Sequence, residues 1–227
     1  MEVKIEAYGD SALLVKFSSD FLHSQNRVRF FRQCIERSLP TGFLECVPGM
    51  TDLTFYYQPL QYSFFSARKE LLRWLAETPV ITEEDVRFIE IPICYHSSLA
   101  PDLDFVAASH HLSTDQVIAL HSSSVYEVQM IGFAPGFPYL SGLPGQLATP
   151  RRATPRLRIS PGSVGIAGTM TGIYTYETPG GWQIIGRTPW VLFDTQRNPP
   201  SLLQLGDRVQ WRPISLDEFM SYMEMMK

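Results

Sequence analysis

The sequence predicts an α+β domain followed by an all-β domain, and three observations carry that expectation. The first ninety residues alternate strand and helix signals. After Ser122 there are only short β-type runs punctuated by Gly and Pro, the pattern of a barrel or sandwich. Composition shifts at the same place, since 10 of the 15 glycines fall between Gly132 and Gly181. The 227 residues suffice for two small domains or one large one, and 44% hydrophobic with 19% charged residues is a globular balance that leaves disorder out.

Taken in order, Val3–Tyr8 and Ala12–Phe17 read as strands around a Gly9-Asp10 turn. Val28, Phe31, Ile35 and Leu39 recur at three and four and predict a helix over Phe21–Leu39, stopped by Pro40 and Gly42. Phe43–Val47 and Thr51–Tyr57 form a hairpin across Pro48-Gly49, and a second helix runs from Phe64 to Ala76 with Phe65, Ala67, Leu71, Leu72 and Leu75 as its apolar face. Val86–Cys94 is expected to close this unit as a further strand, which places the domains at 1–90 and 91–227. The resulting order suggests helices on one face of a mainly antiparallel sheet. Two short helices follow, Asp102–Ser109 and one opened by Ser113 with Gln116 three residues on, a capping-box spacing. The strands expected beyond are Tyr126–Ile131, Val164–Ala167, Gln183–Ile185, Trp190–Phe193 and Arg208–Trp211.

Charge narrows the function classes. A net charge of -4 disfavours a general nucleic-acid binder. Cys34, Cys46 and Cys94 lie far apart, which argues against a disulfide framework or zinc site and fits a reducing, cytoplasmic setting. The charged start MEVKIEAYGD is no signal peptide, and no apolar run is long enough for a membrane span. Yet between residues 116 and 193 the only acids are Glu127 and Glu177, against Arg151, Arg152, Arg156, Arg158 and Arg187. A basic island sits inside an acidic chain.

Three motifs occupy that island. Gly132–Leu140 alternates Gly and Pro with Phe133, Phe137 and Tyr139, either a rigid loop presenting an apolar wall with a phenol or a loop packed on its own core. Pro150–Arg158 holds four arginines, whose guanidinium forks suit a carboxylate or phosphate; the alternative is a solvated, charged edge strand. Pro161–Tyr174, continued through Pro179–Trp182 to Arg187, is glycine-rich and offers backbone N–H groups, with the hydroxyls of Ser163, Thr171 and Thr188. No P-loop, G-x-S-x-G elbow or H-E-x-x-H occurs, and no metal site is expected. His121 is the histidine to watch, with a core position as its plain alternative.

These motifs in this order make the chain resemble the KipI / allophanate hydrolase subunit 1 family. The residues that carry the resemblance are HSSSVYEV (121–128), GFAPGFPYLSGLP (132–144), PRRATPRLRISPGSVGIAG (150–168), TGIYTYETPGGWQIIGRTP (171–189) and GDRVQW (206–211). The resemblance implies a ferredoxin-like first domain and a cyclophilin-like β-barrel second domain. It also implies a chain that works within a complex, in the ATP-dependent opening of 5-oxoproline to glutamate. Its partners there would be a separate, cyclophilin-like chain of the KipA/PxpC type and a further chain of the PxpA type. ATP would be held by the complex or by this chain, with Mg accompanying it. Two other roles in the family are a KipI-like inhibitor of a sporulation-type histidine kinase and the carboxyltransferase component of a urea carboxylase. At 227 residues the partner would be a separate chain.

On the enzymatic reading, Arg151, Arg156, Thr171 and Tyr174 form the catalytic set. Arg152, Arg158 and Arg187 add anion ligands, and Phe133, Phe137, Tyr139 and Trp182 the walls. Gly162, Ser163, Gly168, Gly172, Gly180 and Gly181 let a ligand approach the main chain. One departure stands out: where the family reads Gly-Gln-Thr-Gly-Ile-Tyr-Pro, this chain reads Thr169-Met170-Thr171-Gly172-Ile173-Tyr174-Thr175, and Met170 lacks the amide's donor and acceptor.

Overall fold

The computed structural model describes residues 3–17, 27–28, 30–31, 34–35, 39–77 and 86–225. The chain divides into two compact units, Met1–Asp85 and Val86–Lys227.

In the first unit, β1 (Val3–Ala7), β2 (Ala12–Phe17), β3 (Phe43–Pro48) and β4 (Asp52–Tyr57) form an antiparallel sheet of order β1-β2-β4-β3. The period of two sends Leu13, Val15 and Phe17 of β2, and Leu53, Phe55 and Tyr57 of β4, into one core. Helix α1 (Phe64–Glu77) covers it with Ala67, Leu71 and Leu75. Its apolar stripe starts at Phe64 and not at Phe65, which is 79% exposed. The helix expected over Phe21–Leu39 lies largely outside the described residues; within it, Val28 and Phe31 are buried in the same core.

Seven strands of the second unit are β5 (Phe88–Cys94), β6 (Val125–Ile131), β7 (Pro138–Ser141), β9 (Ser163–Ala167), β10 (Met170–Ile173), β12 (Gln183–Arg187) and β13 (Arg208–Ile214). They close into a barrel in the order β10-β7-β6-β13-β5-β12-β9. A two-stranded sheet of β8 (Arg156–Ile159) and β11 (Thr178–Gly180) stands beside it. Helices α2 (Leu103–Ser109) and α3 (Thr114–Ser123) pack on the barrel core through Val106 and Val117, and α4 (Leu216–Met225) ends the unit. The Ser113–Gln116 capping box forms as its spacing predicts.

Three expectations are corrected. Val86–Cys94 does not close the first unit: β5 runs parallel to β13 along seven paired positions, from Phe88 opposite Arg208 to Cys94 opposite Ile214, so the domain division precedes it. Trp190–Phe193 is not a strand, making a single isolated bridge at Phe193; Pro189 and the indole packing hold it as loop. The second half of the Gly132–Leu140 motif is strand β7, leaving only residues 132–137 as loop.

Alternation around the barrel wall makes two apolar layers. Leu140, Ile173 and Ile185 fill the barrel core, while their neighbours Tyr139, Tyr174 and Ile184 face a second cluster with Phe137, Ile159 and Trp182. Gly165 and Gly172 permit that second layer to sit close, since a Cβ on Gly172 would lie 2.8 Å from the Pro138 carbonyl and 3.0 Å from the Phe137 ring. The barrel core holds one polar column. The His121 ring is fully buried, its Nδ1 2.8 Å from Tyr95 Oη and its Nε2 3.2 Å from Thr171 Oγ1, which donates to the Gly165 carbonyl. That donation leaves Thr171 Oγ1 to accept from Nε2–H, so Nδ1 accepts from the tyrosine hydroxyl. Desolvation lowers the pKa of this neutral imidazole to about 3.

Candidate functional site

The arginine island has an internal counter-ion that the sequence window did not contain. Asp102, 2% exposed, precedes α2 and receives four hydrogen bonds. Its Oδ1 accepts from Arg152 Nη1 at 2.8 Å and Arg156 Nη2 at 2.7 Å; its Oδ2 accepts from Arg156 Nη1 at 2.7 Å and Ile184 N at 2.6 Å. A carboxylate with four donors has no lone-pair position left. Arg156, expected as a catalytic anion ligand, is therefore one half of a bidentate ion pair that clamps the 150–158 segment to β12. Arg152 is engaged by the same carboxylate. Arg158, 81% exposed at its side chain, lies 3.6 Å from Glu177, a solvated pair of little energetic weight.

Thr171 is likewise structural. It is fully buried and holds the His121 column, so it supplies no donor to a ligand and is removed from the catalytic set. Tyr174, 2% exposed, is packed edge-on against Phe137, and burial raises its phenol to about 12. Phe137 and Trp182 are buried beside it. Of the expected aromatic wall only Phe133 projects: it is 63% exposed, its φ is +71°, and its ring stands edge-on to Phe137 and Tyr174. A bulky residue in the left-handed region is uncommon and sits where the surroundings over-determine it. Met170 packs, partly buried, against this aromatic cluster.

Arg151 remains. Among the described residues it is exposed and is the one arginine of the island for which no hydrogen bond or ion pair is formed. Its charge acts on the phenols of Tyr139 and Tyr174, lowering both against the raising effect of burial. It stands between two depressions. On one side is a small pocket of about 90 Å³ lined by Phe133, Tyr139, Tyr174, Gly180, Gly181 and Trp182. On the other is a cavity of about 550 Å³ lined by Phe105, Ser109, His110, Thr149, Arg152 and Gln183, among others. A third depression, about 180 Å³, gathers Arg156, Arg158, Ser163 and Arg187. Arg187 donates its Nε–H to the Pro161 carbonyl, and burial lowers its pKa. The expected site residues thus separate into three places, with Arg151 joining two of them. Gly162 and Gly168 serve turns, at φ +81° and +59°, and Gly168 N–H bonds the Thr149 carbonyl.

The cavity wall holds residues that sequence reasoning missed. Gln183 is 3% exposed; its Nε2 donates to the Pro150 carbonyl at 3.0 Å and its Oε1 has no partner. An unmet buried acceptor costs about 1–3 kcal/mol. His110 Nε2 lies 2.9 Å from Thr149 Oγ1, which donates to the Leu147 carbonyl. Among the described residues no group of three or more His, Cys, Asp or Glu side chains is arranged to hold a metal ion.

A family profile described as "Carboxyltransferase domain, subdomain C and D" matches residues 3–203. The chain belongs to this carboxyltransferase-domain family. Its relatives include the protein named as the B subunit of 5-oxoprolinase in Bacillus subtilis, 41% identical over 97% of this chain and 97% of that protein. A second, with the same name, comes from Escherichia coli O157:H7 and is 44% identical over 90% of this chain and 93% of its own. The crystal structure titled TTHA0988 superposes with a TM-score of 0.78 at 34% identity; it covers 90% of this chain, which spans 40% of that longer one. The 5-oxoprolinase chains to which the 121–211 motifs point are thus also relatives over nearly the whole length. Within this carboxyltransferase-domain chain, Asp102 carried no motif and read only as a helix start, while Gln183 lay inside the 171–189 motif but read only as a strand residue.

Proposed function

We propose that the chain is the B subunit of an ATP-dependent 5-oxoprolinase that opens 5-oxo-L-proline to L-glutamate. It works with two separate partner chains, one of the PxpA type and one of the KipA/PxpC type. The observation that carries this reading is the 41% identity across 97% of both chains to a protein named as the B subunit of 5-oxoprolinase. In the overall reaction the ring C–N bond breaks, the nitrogen becomes the glutamate amine, and two waters are consumed, one oxygen ending in the new carboxylate and one in the phosphate released as ATP becomes ADP. This chain's part is to hold and orient the lactam. Arg151, free of any internal acid, takes the substrate carboxylate as a charge-assisted pair, and Phe133 and Tyr139 flank it with apolar surface. One free arginine without a P-loop does not make a triphosphate cradle, so the nucleotide and its Mg are assigned to the assembled enzyme and no step of this chain is routed through them. The wide spacing of Cys34, Cys46 and Cys94 along the sequence supports a reducing, cytoplasmic setting. The barrel we read as cyclophilin-like. The first unit we read as a ferredoxin-like variation in which β1 takes an edge of the sheet beside β2.

Reconstitution tests the reading. The two partner chains mixed with this one are expected to release glutamate and consume ATP, and the same mixture without it to release none. No glutamate from the full set, with all three chains folded and associated, would overturn the proposal.

A further inference from the structure

We propose that the depression gathered around Arg187, Ser163 and Ser160 is a binding site for a phosphate dianion. The inference goes beyond the 5-oxoprolinase reading and does not depend on it, since no residue lining this depression lines the pocket or the cavity beside Arg151. Arg187 and Ser163 are directly opposed on β12 and β9, and opposed residues leave a sheet on the same face with Cβ atoms about 5 Å apart. Val164 points into the barrel core, so Ser163 and Arg187 point out of it. Ser160 joins them through a tight turn, closed by Ser163 N–H on the Ser160 carbonyl at 3.2 Å. The same turn receives Arg187 Nε–H on its Pro161 carbonyl at 2.8 Å. Strand pairing and turn thus hold the three side chains in one hydrogen-bonded unit.

The unit is short of partners. Ser163 is 6% exposed and lines the depression; its hydroxyl makes no hydrogen bond within the described residues, yet is not sealed from solvent. Arg187 is half-buried with its guanidinium 5.9 Å from the Phe219 ring centroid. Its Nε is spent on Pro161, and among the described residues Nη1 and Nη2 meet no acceptor and no acid. Burial lowers its pKa, as it does for a desolvated cation without a counter-ion. No acid lines the depression, whereas Arg156 and Arg158 do. Arg156 is occupied by Asp102 and adds only its charge. Arg158 is held by the loose 3.6 Å pair with Glu177, which an anion can displace.

The arrangement of donors selects phosphate. They approach from three directions: the Arg187 fork from β12, the serine hydroxyls from the turn, and Arg158 from β8. A planar carboxylate satisfies the fork alone, while a tetrahedral dianion has oxygens for all three. At about 180 Å³ the depression is smaller than the roughly 300–1,000 Å³ of sites that enclose drug-sized ligands, so it takes the phosphate group itself. That group is either free phosphate or the terminal phosphate of a nucleotide whose base and sugar stay outside.

Calorimetric titration of the full-length chain tests the site, with inorganic phosphate as probe and acetate as planar control, at constant ionic strength and about pH 8, where phosphate is a dianion. Phosphate is expected to bind at least ~10-fold more tightly than acetate. Arg187→Gln should weaken phosphate by about 10-fold or more and Ser163→Ala by about threefold, while Arg151→Ala leaves it unchanged. Ser163→Ala removes a single unpartnered oxygen, which keeps the test decisive should Arg187→Gln fail to fold; thermal transitions check both. ADP as competitor assigns the source: displacement of phosphate points to a nucleotide end, and no displacement to free phosphate. Absence of phosphate binding by the wild type at ~10 mM, or equal affinity for phosphate and acetate, would overturn the site. So would a folded Ser163→Ala or Arg187→Gln chain that binds phosphate with wild-type affinity. None of these outcomes touches the lactam reading, which is judged by glutamate release.

Discussion

Asp102 decides more about this molecule than any residue of the motifs around it. Its carboxylate joins Arg152, Arg156 and the Ile184 N–H, so Asp102→Ala leaves two guanidinium groups facing a desolvated gap. Their side chains are 35% and 25% exposed, which reduces the cost below that of a fully buried pair; we expect a loss of about 2–4 kcal/mol in denaturant unfolding of the second unit. A loss under ~0.5 kcal/mol would mean that water already serves these arginines. The arginine island was legible in the sequence, but its meaning was not. Local charge counting stops at the window's edge, and Asp102 lies 50 residues before Arg152, brought to it by barrel closure. Thr171 was misread for a related reason: a hydroxyl among glycines resembles a ligand donor until the strand register turns it towards His121. The plain alternative for His121, a satisfied core histidine, is what the structure contains.

Among the elements, the turn between β8 and β9 is constrained by its own backbone. Gly162 has φ +81°, and a Cβ there would stand 2.3 Å from the Thr188 carbonyl oxygen. Gly162→Ala therefore combines backbone strain with a backbone clash, and should destabilise the second unit by about 3 kcal/mol or more. Gly168, also left-handed at φ +59°, has nothing within 4 Å of that position. Gly168→Ala should cost only the strain, about 1–2 kcal/mol. Paired chemical-denaturation curves check the contrast, and equal losses would show that sterics at Thr188 do not matter. Most strands and helices were readable from alternation and three-four spacing. The strand β5 was found but given to the wrong unit, because an apolar run announces a strand without naming its partner. Strand β7 was hidden inside a Gly/Pro-rich motif, and α4 escaped although Leu216, Phe219 and Met223 recur at helical spacing.

At the scale of the whole molecule, one buried ring ties stability to pH. His121 has a folded pKa of about 3 against an ordinary value near ~6.5 when unfolded. The unfolded chain thus binds a proton between these values that the folded chain refuses. The stabilisation is full above about pH 6.5 and is lost as pH falls towards 3, with a slope approaching ~1.4 kcal/mol per pH unit inside that window. Denaturation series at pH 7, 6, 5 and 4 should show that slope in the second unit, reduced in His121→Phe, which keeps a ring against Trp211. The barrel was legible in the short strands punctuated by Gly and Pro after Ser122. The site was legible as a region but not as a constellation, because the three depressions are separated by strand alternation. The central claim is that Arg151, the arginine left free by Asp102, anchors the substrate carboxylate of a 5-oxoprolinase. The most direct measurement is the rate of ATP-dependent glutamate release by the assembled complex carrying Arg151→Ala. The account predicts kcat/KM lower by about 100-fold, chiefly through KM, with unfolding free energy unchanged within ~0.5 kcal/mol. A folded Arg151→Ala complex that opens 5-oxoproline with the wild-type kcat/KM would contradict it.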